Sequence, residues 1–484
     1  MKSTHHGTAA HGGRLNPVLM MIAVIAVAVL LTWVVGAGAF QRHGALVVPG
    51  SYQVMPKTGG VAALFSTDTG AADEKPAAAK SPDVKAHAAK PPHASAAGIL
   101  AAFAAIPAGL VKNANLEFLV LLVGGMFGVL RKTGAVDAGV DRLIHATAGN
   151  RFLLVPALMI ALALGSTFLG FISEYLVLIP IMALMGERLG YKPIFAVAVV
   201  GVAAKIGYAT SVTNPYALVV AQPLAHVPLF SGLAFRLVLF VIFLALGIAW
   251  VLWRVRPVTP PAVTTDPEAQ RLAPHHVAVL LALLVAGLLM VSGSIFWGWK
   301  EDELGTFYIV LAVVFAAVGR LPAAQAADAF VDGMKNLMLA ALLIGLAGSV
   351  QILLQNAHVL DTMINDATEI LHGQGGAITA NGLMSIEMFL GVLIPSTAGK
   401  VTVSMPILAP VAQLSGVSGQ TTVLAFILGN GLTNMVTPTS GMLLAYLAAA
   451  KVDFGQWIRF IAPLFAVLLL LSAVALAVAV AIGY

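Results

Sequence analysis

Four short stretches put reactive or ligand-forming side chains where the surrounding sequence is apolar. They are GSTFLGFISE (165–174), SVTNP (211–215), IPSTAGK (394–400) and TNMVTPTSG (433–441). Each mixes helix breakers with hydroxyls or amides. In a hydrocarbon environment every backbone N–H and C=O must be paired, so non-helical backbone survives there only inside protein or against a wet cavity. Free N–H groups where a half-helix begins suit a carboxylate. Freed carbonyls and Ser, Thr or Asn oxygens suit a small cation. Asn214 and Asn434, which directly follow Thr213 and Thr433, read as site residues. For a single hydroxyl, a bond back to its own helix is an equally available reading.

The charges narrow the chemistry further. Glu174 closes the first stretch, Lys205 lies about two turns before Thr213, and Lys400 ends the third. An ionisable side chain at membrane depth is expensive and therefore a functional candidate. Lys205 also admits snorkelling or a structural pair with Glu174, and Lys400 admits a tip exposed to water. Glu387 and Asp137 stand nearer segment ends and read as interfacial. The histidines offer no catalytic or metal-binding set: His145, His226 and His358 are scattered near loops, and His5, His6 and His11 lie in a polar tail.

These stretches need a membrane-embedded frame, and the composition supplies one. Of 484 residues, 59% are hydrophobic and 10% charged, against about 25% charged in soluble domains. Long uncharged segments such as Val277 to Phe296 match a hydrocarbon core of about 30 Å. The expected fold is an all-α polytopic membrane protein. The net charge of +5 sits mainly in loops, which fits orientation in a bilayer and not nucleic-acid binding. With no cysteine, thiolate chemistry is excluded. No cofactor or metal is expected; the coupling ion would be H⁺ or Na⁺.

Residues 1–40 read as a tail and a first helix, retained because its apolar run is longer than that of a secretory signal. Residues 41–95 read as a flexible extracytoplasmic loop rich in Ala, Lys and Pro. Two membrane repeats, 98–256 and 323–484, flank a cytoplasmic linker (257–275) and connecting helices (276–320). The repeats keep a constant offset of 224 through Gly109 to Gly333, Gly124 to Gly348 and Asp137 to Asp361. Further on it is 226, from Pro180 to Pro406 and from Thr213 to Thr439. Each repeat runs from an amphipathic segment (98–112, 323–335) into a Gly-rich span (116–131, 336–354), a broken hairpin and an interrupted helix. With the hairpins re-entrant, five spans separate the repeat starts, so the repeats are inverted. Arg131, Lys132, Arg188, Lys192, Arg254, Arg320 and Lys451 then share one side. By the positive-inside rule that side and the N-terminus are cytoplasmic, and the C-terminus is extracytoplasmic.

The order GSTF…E…TNP, then PSTAG…MPI.AP and TN…PTSG, resembles the YfcC branch of the C4-dicarboxylate anaerobic carrier (DcuC-like) family, in the ion-transporter superfamily. The resemblance covers about residues 98 to 483. It implies an elevator-type scaffold plus a mobile transport domain, a homodimer in the bacterial inner membrane, and transport of dicarboxylates or, in some members, exchange of basic amino acids. By position it points to Ser166, Thr167, Thr213 and Asn214 in the first repeat and to Ser396, Thr397, Asn434, Thr439 and Ser440 in the second. Lys400 and Lys205 depart from the pattern, which has an uncharged residue such as Gln at the first position and a small one at the second. A lysine ammonium can stand in for a bound Na⁺ or carry protons.

The expected function is secondary active transport of a small carboxylate, dicarboxylate or amino acid, H⁺-coupled or exchanging. Lys400 would face the substrate at a hairpin gate, with Glu174 and Lys205 as coupling charges. A basic amino acid antiporter is the alternative, and an ion channel the alternative of a different class.

Overall fold

The computed structural model describes residues 17–43, 46–58, 94–146, 150–258, 273–371 and 373–484. The N-terminal tail with its histidines, the stretch 59–93 of the long loop and most of the 257–275 linker lie outside the described residues. Nearly everything described is helix. A first helix, α1 (Pro17–Val34), precedes two series with the same order.

The first series runs α2 (Ile99–Lys112), α3 (Ala114–Lys132), α4 (Ala135–Ala146), α5 (Arg151–Leu164), α6 (Leu178–Arg188), α7 (Ile194–Thr210), α8 (Pro215–Leu224) and α9 (Leu233–Arg254). Two connecting helices follow, α10 (Pro274–Phe296) and α11 (Glu301–Val318). The second series is α12 (Ala323–Asn356), α13 (Val359–Leu371), α14 (Gly376–Leu393), α15 (Thr397–Leu414), α16 (Gly419–Val436), α17 (Gly441–Ala449) and α18 (Phe454–Ala481).

Six helical segments among the described residues are long and apolar enough to cross a bilayer. Lipid-type faces are evident on α18, where Leu470 and Val474 are exposed, and on the shorter apolar helix α10, where Leu281, Leu284 and Leu288 are. An apolar stripe at helical spacing left uncovered is what a bilayer, and not water, would tolerate.

α12 differs from its expected form. The sequence divides 323–335 from 336–354, whereas the structure has one continuous helix of 34 residues. Its counterpart in the first series is interrupted at Asn113, whose side chain donates to Ile344 O at 3.0 Å. α12 packs against α2 and α3 through glycines. A Cβ at Gly333 would sit 2.1 Å from Gly124 O, and one at Gly348 would sit 2.9 Å from Gly109 O. These two contacts exchange partners under the 224-residue offset (109 to 333, 124 to 348). Close backbone approach through small residues is the usual basis of helix association in lipid.

α5 and α6 form one hairpin and α14 and α15 another. Arg151, at the start of α5, bonds to Tyr191, just past α6. Gly376, at the start of α14, lies against Ser415 and Val417, just past α15. In each case the chain returns to the place it entered. The first tip is a π-helical turn (Gly165–Leu169) followed by Gly170 at φ 79°, a left-handed position that favours glycine. The second is the extended Ile394–Ser396, enforced by Pro395.

α7 and α16 occupy the centre. Every residue from Phe195 to Thr210 is buried, and so is every residue from Thr421 to Thr433. The two meet where a Cβ on Gly431 would come within 2.2 Å of Ala209 Cα. Each ends at a break, 211–214 in the first series and 437–440 in the second, before α8 or α17 resumes.

Part of the loop expected to be flexible is instead built. Short strands β1 (Ala37–Ala39) and β4 (Gln53–Met55) pair antiparallel around a small turn, β2 (Arg42–His43) with β3 (Leu46–Val47). This strap docks on α13. Arg42 pairs with Asp361 at 2.7 Å, Phe40 N donates to the same carboxylate at 3.0 Å, and Tyr52 OH bonds Thr362 Oγ1 at 2.9 Å. Phe40 and Val47 pack with Ile364, Leu390 and Ile407, so the strap also touches both arms of the second hairpin.

Candidate functional site

A cavity of about 550 Å³ opens between the two hairpin tips, α7, the second break and the α2–α3 and α10–α11 connections. Its lining includes Glu174, Lys205, Tyr208, Ser396, Thr397, Asn434, Thr439 and Ser440, together with Lys112, Asn113, Lys300 and Glu301.

Two helix N-termini point their unpaired N–H groups at this space. α15 begins beneath Ser396, whose Oγ accepts from Gly399 N at 3.2 Å. α17 begins beneath Ser440, whose Oγ accepts from Leu443 N at 3.4 Å. Such ends carry partial positive charge and favour anions. Lys205 stands beside them. Its side chain is 2% exposed and lines the cavity, and its ammonium has no ion pair or hydrogen bond among the described residues. A desolvated cation without a protein partner is costly unless a ligand supplies the counter-charge.

The hydroxyls and amides of the second series are held in a connected set. Thr397 Oγ1 accepts from Tyr208 OH at 3.0 Å and from Asn430 Nδ2 at 3.1 Å. Asn434 donates to Asn430 O at 2.9 Å, and Thr439 Oγ1 donates to Val392 O at 2.8 Å. Glu174 supplies the opposite charge. It is buried, and its Oε2 accepts from Ile172 N at 3.1 Å and from Ser173 Oγ at 3.2 Å. Tyr446 OH of α17 donates to Ile172 O, which ties the first tip to the second series.

The first-series residues lie elsewhere. Ser166 Oγ donates to Ala204 O at 2.7 Å, and Thr167 Oγ1 accepts from Val212 N at 3.0 Å. Thr213 Oγ1 donates to Phe168 O at 3.1 Å, while Asn214 Nδ2 donates to Ser211 Oγ at 3.2 Å. Thr167 and Thr213 stitch the first hairpin to the first break, Ser166 ties the hairpin to α7, Asn214 bonds within the break, and none of the four lines the cavity. Ser211 takes φ 40° there, an uncommon conformation for a residue with a side chain.

Lys400 is also set back from the cavity. It is fully buried, donates to Glu387 O at 3.1 Å, and has Glu387 Oε2 at 3.6 Å. Glu387, read from the sequence as interfacial, is 1% exposed in the middle of α14, because the hairpin folds Lys400 over it. Asp137 keeps a more open position and pairs with Arg188 at 3.4 Å.

Three contributors escape the sequence reading. Tyr208 falls one turn after Lys205 on the same helix face, and Asn430 one turn before Asn434, so spacing alone pointed to both. Arg236 lies inside the apolar α9, fully buried, and donates to Val212 O at 3.1 Å in the first break.

The C4-dicarboxylate anaerobic carrier family matches residues 15–481. The chain belongs to this family. The family's members are multi-pass membrane transporters and not enzymes. Among curated relatives of this carrier, YfcC of Escherichia coli (strain K12), whose name proposes basic amino acid antiport, is 31% identical over 389 residues, 75% of this chain and 77% of YfcC. An uncharacterized protein of Haemophilus influenzae is 26% identical over 392 residues, 77% of each chain. Among solved structures, the YdaH transporter of Alcanivorax borkumensis aligns over 97% of this chain and 99% of its own, at 17% identity and TM-score 0.41. MtrF of Neisseria gonorrhoeae aligns over 96% and 95%, at 17% identity and TM-score 0.40.

Proposed function

We propose that this family member is a secondary active transporter for a small carboxylate, with an α-amino acid as the substrate class that the cavity's charges fit best. The observation that carries this reading is the unpartnered Lys205 ammonium beside the N-termini of α15 and α17. Together they form one anion-binding end. The rest of the charged lining is mixed, with Glu174 and Glu301 beside Lys112 and Lys300. An α-ammonium group suits those carboxylates. Exchange of a basic amino acid is the second reading, favoured by the presence of two acidic side chains and by the name of the E. coli relative.

The same reading covers the larger architecture. The hairpins are re-entrant, and the reciprocal glycine contacts of α12 with α2 and α3 support inverted repeats forming a scaffold in a homodimer. The hairpins with α7, α8, α16 and α17 form the moving transport domain of an elevator. The protein sits in the bacterial inner membrane with its N-terminus in the cytoplasm, and with that orientation the cavity opens outward past Lys300 and Glu301. Coupling is to H⁺ or to a second substrate, since Lys205 and Lys400 place fixed positive charge where a coupling cation would be repelled.

A thermal-shift screen of the purified protein tests this. L-amino acids should raise Tm in a saturable way, dicarboxylates less, and NaCl should add nothing beyond KCl. Stabilisation by Na⁺ alone, or by no carboxylate, overturns the reading.

A further inference from the structure

The transport reading does not use Glu387, yet its placement is specific. It lies on the inner arm of the second hairpin, and Lys400 lies in the first turn of the outer arm. Lys400 Nζ reaches Glu387 Oε2 at 3.6 Å and Glu387 O at 3.1 Å, so one ammonium clasps both arms behind the tip. Room for it is made by Gly391, where a Cβ would stand 3.1 Å from Nζ, and the ring of Phe426 on α16 closes the site at 5.8 Å. Both carboxylate oxygens of Glu387 are buried and lack a close hydrogen bond; Lys400 and the buried hydroxyl of Ser404, one turn on, face them at longer range. Of the charged groups on neighbouring elements, Asp361 of α13 is held by Arg42 and Lys205 of α7 lines the cavity. Neither is ion-paired to Glu387 or Lys400.

We propose that Glu387 is the carrier's proton site, and that its pairing with Lys400 latches the second hairpin. The assignment rests on the carboxylate-transport reading for its role in coupling. The step is a simple protonation: Glu387 carboxylate takes H⁺ and becomes a neutral carboxyl, and Lys400 loses its counter-ion. A carboxylate arriving at the Ser396–Thr397 end of the same helix then supplies the missing negative charge. Proton and substrate load together because a buried lysine cannot be left uncompensated. Geometry supports a carboxylate poised for this: with one ion-pair partner and no close hydrogen bond, little holds its charge when the ammonium moves.

The absence of cysteine makes the latch directly measurable. Gly399→Cys places a single thiol at the tip, where an added Cβ meets nothing nearer than 3.4 Å. Maleimide labelling of the full chain, normalised to Ser385→Cys on the exposed side of α14, should speed up at least fivefold as pH falls from 8 to 5. Adding Glu387→Gln should leave labelling fast at every pH. If that variant does not fold, the double variant Glu387→Gln/Lys400→Met, which removes both the clasp and the buried charges, should fold and label at a rate that does not change with pH. Labelling that is flat with pH in the Gly399→Cys protein, or pH-dependent labelling that persists in the double variant, overturns the assignment. Uptake of labelled L-alanine into proteoliposomes is measured in parallel. Loss of uptake without any change in the labelling pattern would refute the substrate reading and leave the latch standing.

Discussion

Lys205→Met is the substitution whose two consequences should point in opposite directions. The side chain is nearly as long, so packing around α7 is preserved. A carboxylate about 4 Å from an ammonium gains about 4 kcal/mol at an effective dielectric near 20. The N-termini of α15 and α17 each retain about 0.3–1 kcal/mol of attraction for the anion. The loss on substitution is then about 3–4 kcal/mol, or roughly 10²–10³-fold in affinity at 1.36 kcal/mol per decade. Without ligand the sign reverses. Lys205 is 2% exposed with no partner, so exchanging it for an apolar side chain removes a desolvation cost and should raise the Tm of the free protein. Calorimetric titration with an L-amino acid that stabilises the unmodified protein, alongside melting of both proteins, reads the two effects. Unchanged affinity, or a lower Tm with binding intact, would refute the argument that this ammonium waits for a ligand's charge.

Arg42→Ala should loosen the strap, because Asp361 is 6% exposed and keeps only the Phe40 N–H. With Arg42 40% exposed, a loss of about 1–3 kcal/mol is expected, seen as faster proteolysis around residues 42–58. Strap docking should also weaken in acid. Burial pushes the His358 imidazole below its usual range, with Asp361 opposing and Arg42 adding to the shift. A lowered value means that the docked state favours the neutral ring, so docking is fullest above the ordinary histidine range near 6.5 and declines as pH drops below it. Greater strap protection at pH 5 than at pH 8 would contradict this. Gly333→Ala would place a methyl 2.1 Å from Gly124 O and should cost at least 1–3 kcal/mol, roughly the scale of an overpacked core. Gly287→Ala, with nothing within 4 Å, should leave Tm unchanged or slightly higher.

The breaks were legible because a helix breaker, Pro or Gly, stands there within a few residues of two or more hydroxyls or amides. Which hydroxyls face the cavity was not. Ser166 and Ser396 belong to matching motifs, yet one bonds a neighbouring helix and the other caps its own at the cavity wall. That difference comes from how the tips fold: the first is a π-turn that rolls its side chains inward, and the second is extended around Pro395. The Glu387–Lys400 pair was hidden for another reason. Its members belong to different helices and meet only after the chain reverses, so helical spacing gives no hint of it. The strap was missed because its strands are two or three residues long, below the four to eight at which alternation can be read. α12 reads as two segments, 323–335 and 336–354, by its change from amphipathic to Gly-rich apolar sequence, yet no breaker separates 335 from 336 and the helix runs through.

The account stands or falls on obligate exchange or coupled movement of a carboxylate through the Lys205 cavity. Solute counterflow in proteoliposomes measures this most directly: vesicles preloaded with unlabelled L-amino acid are diluted into the labelled form. The expected result is transient, saturable accumulation of label that vanishes with Lys205→Met. Flux that follows only the gradient, with no acceleration by internal substrate and with unitary currents in a planar bilayer, would contradict it.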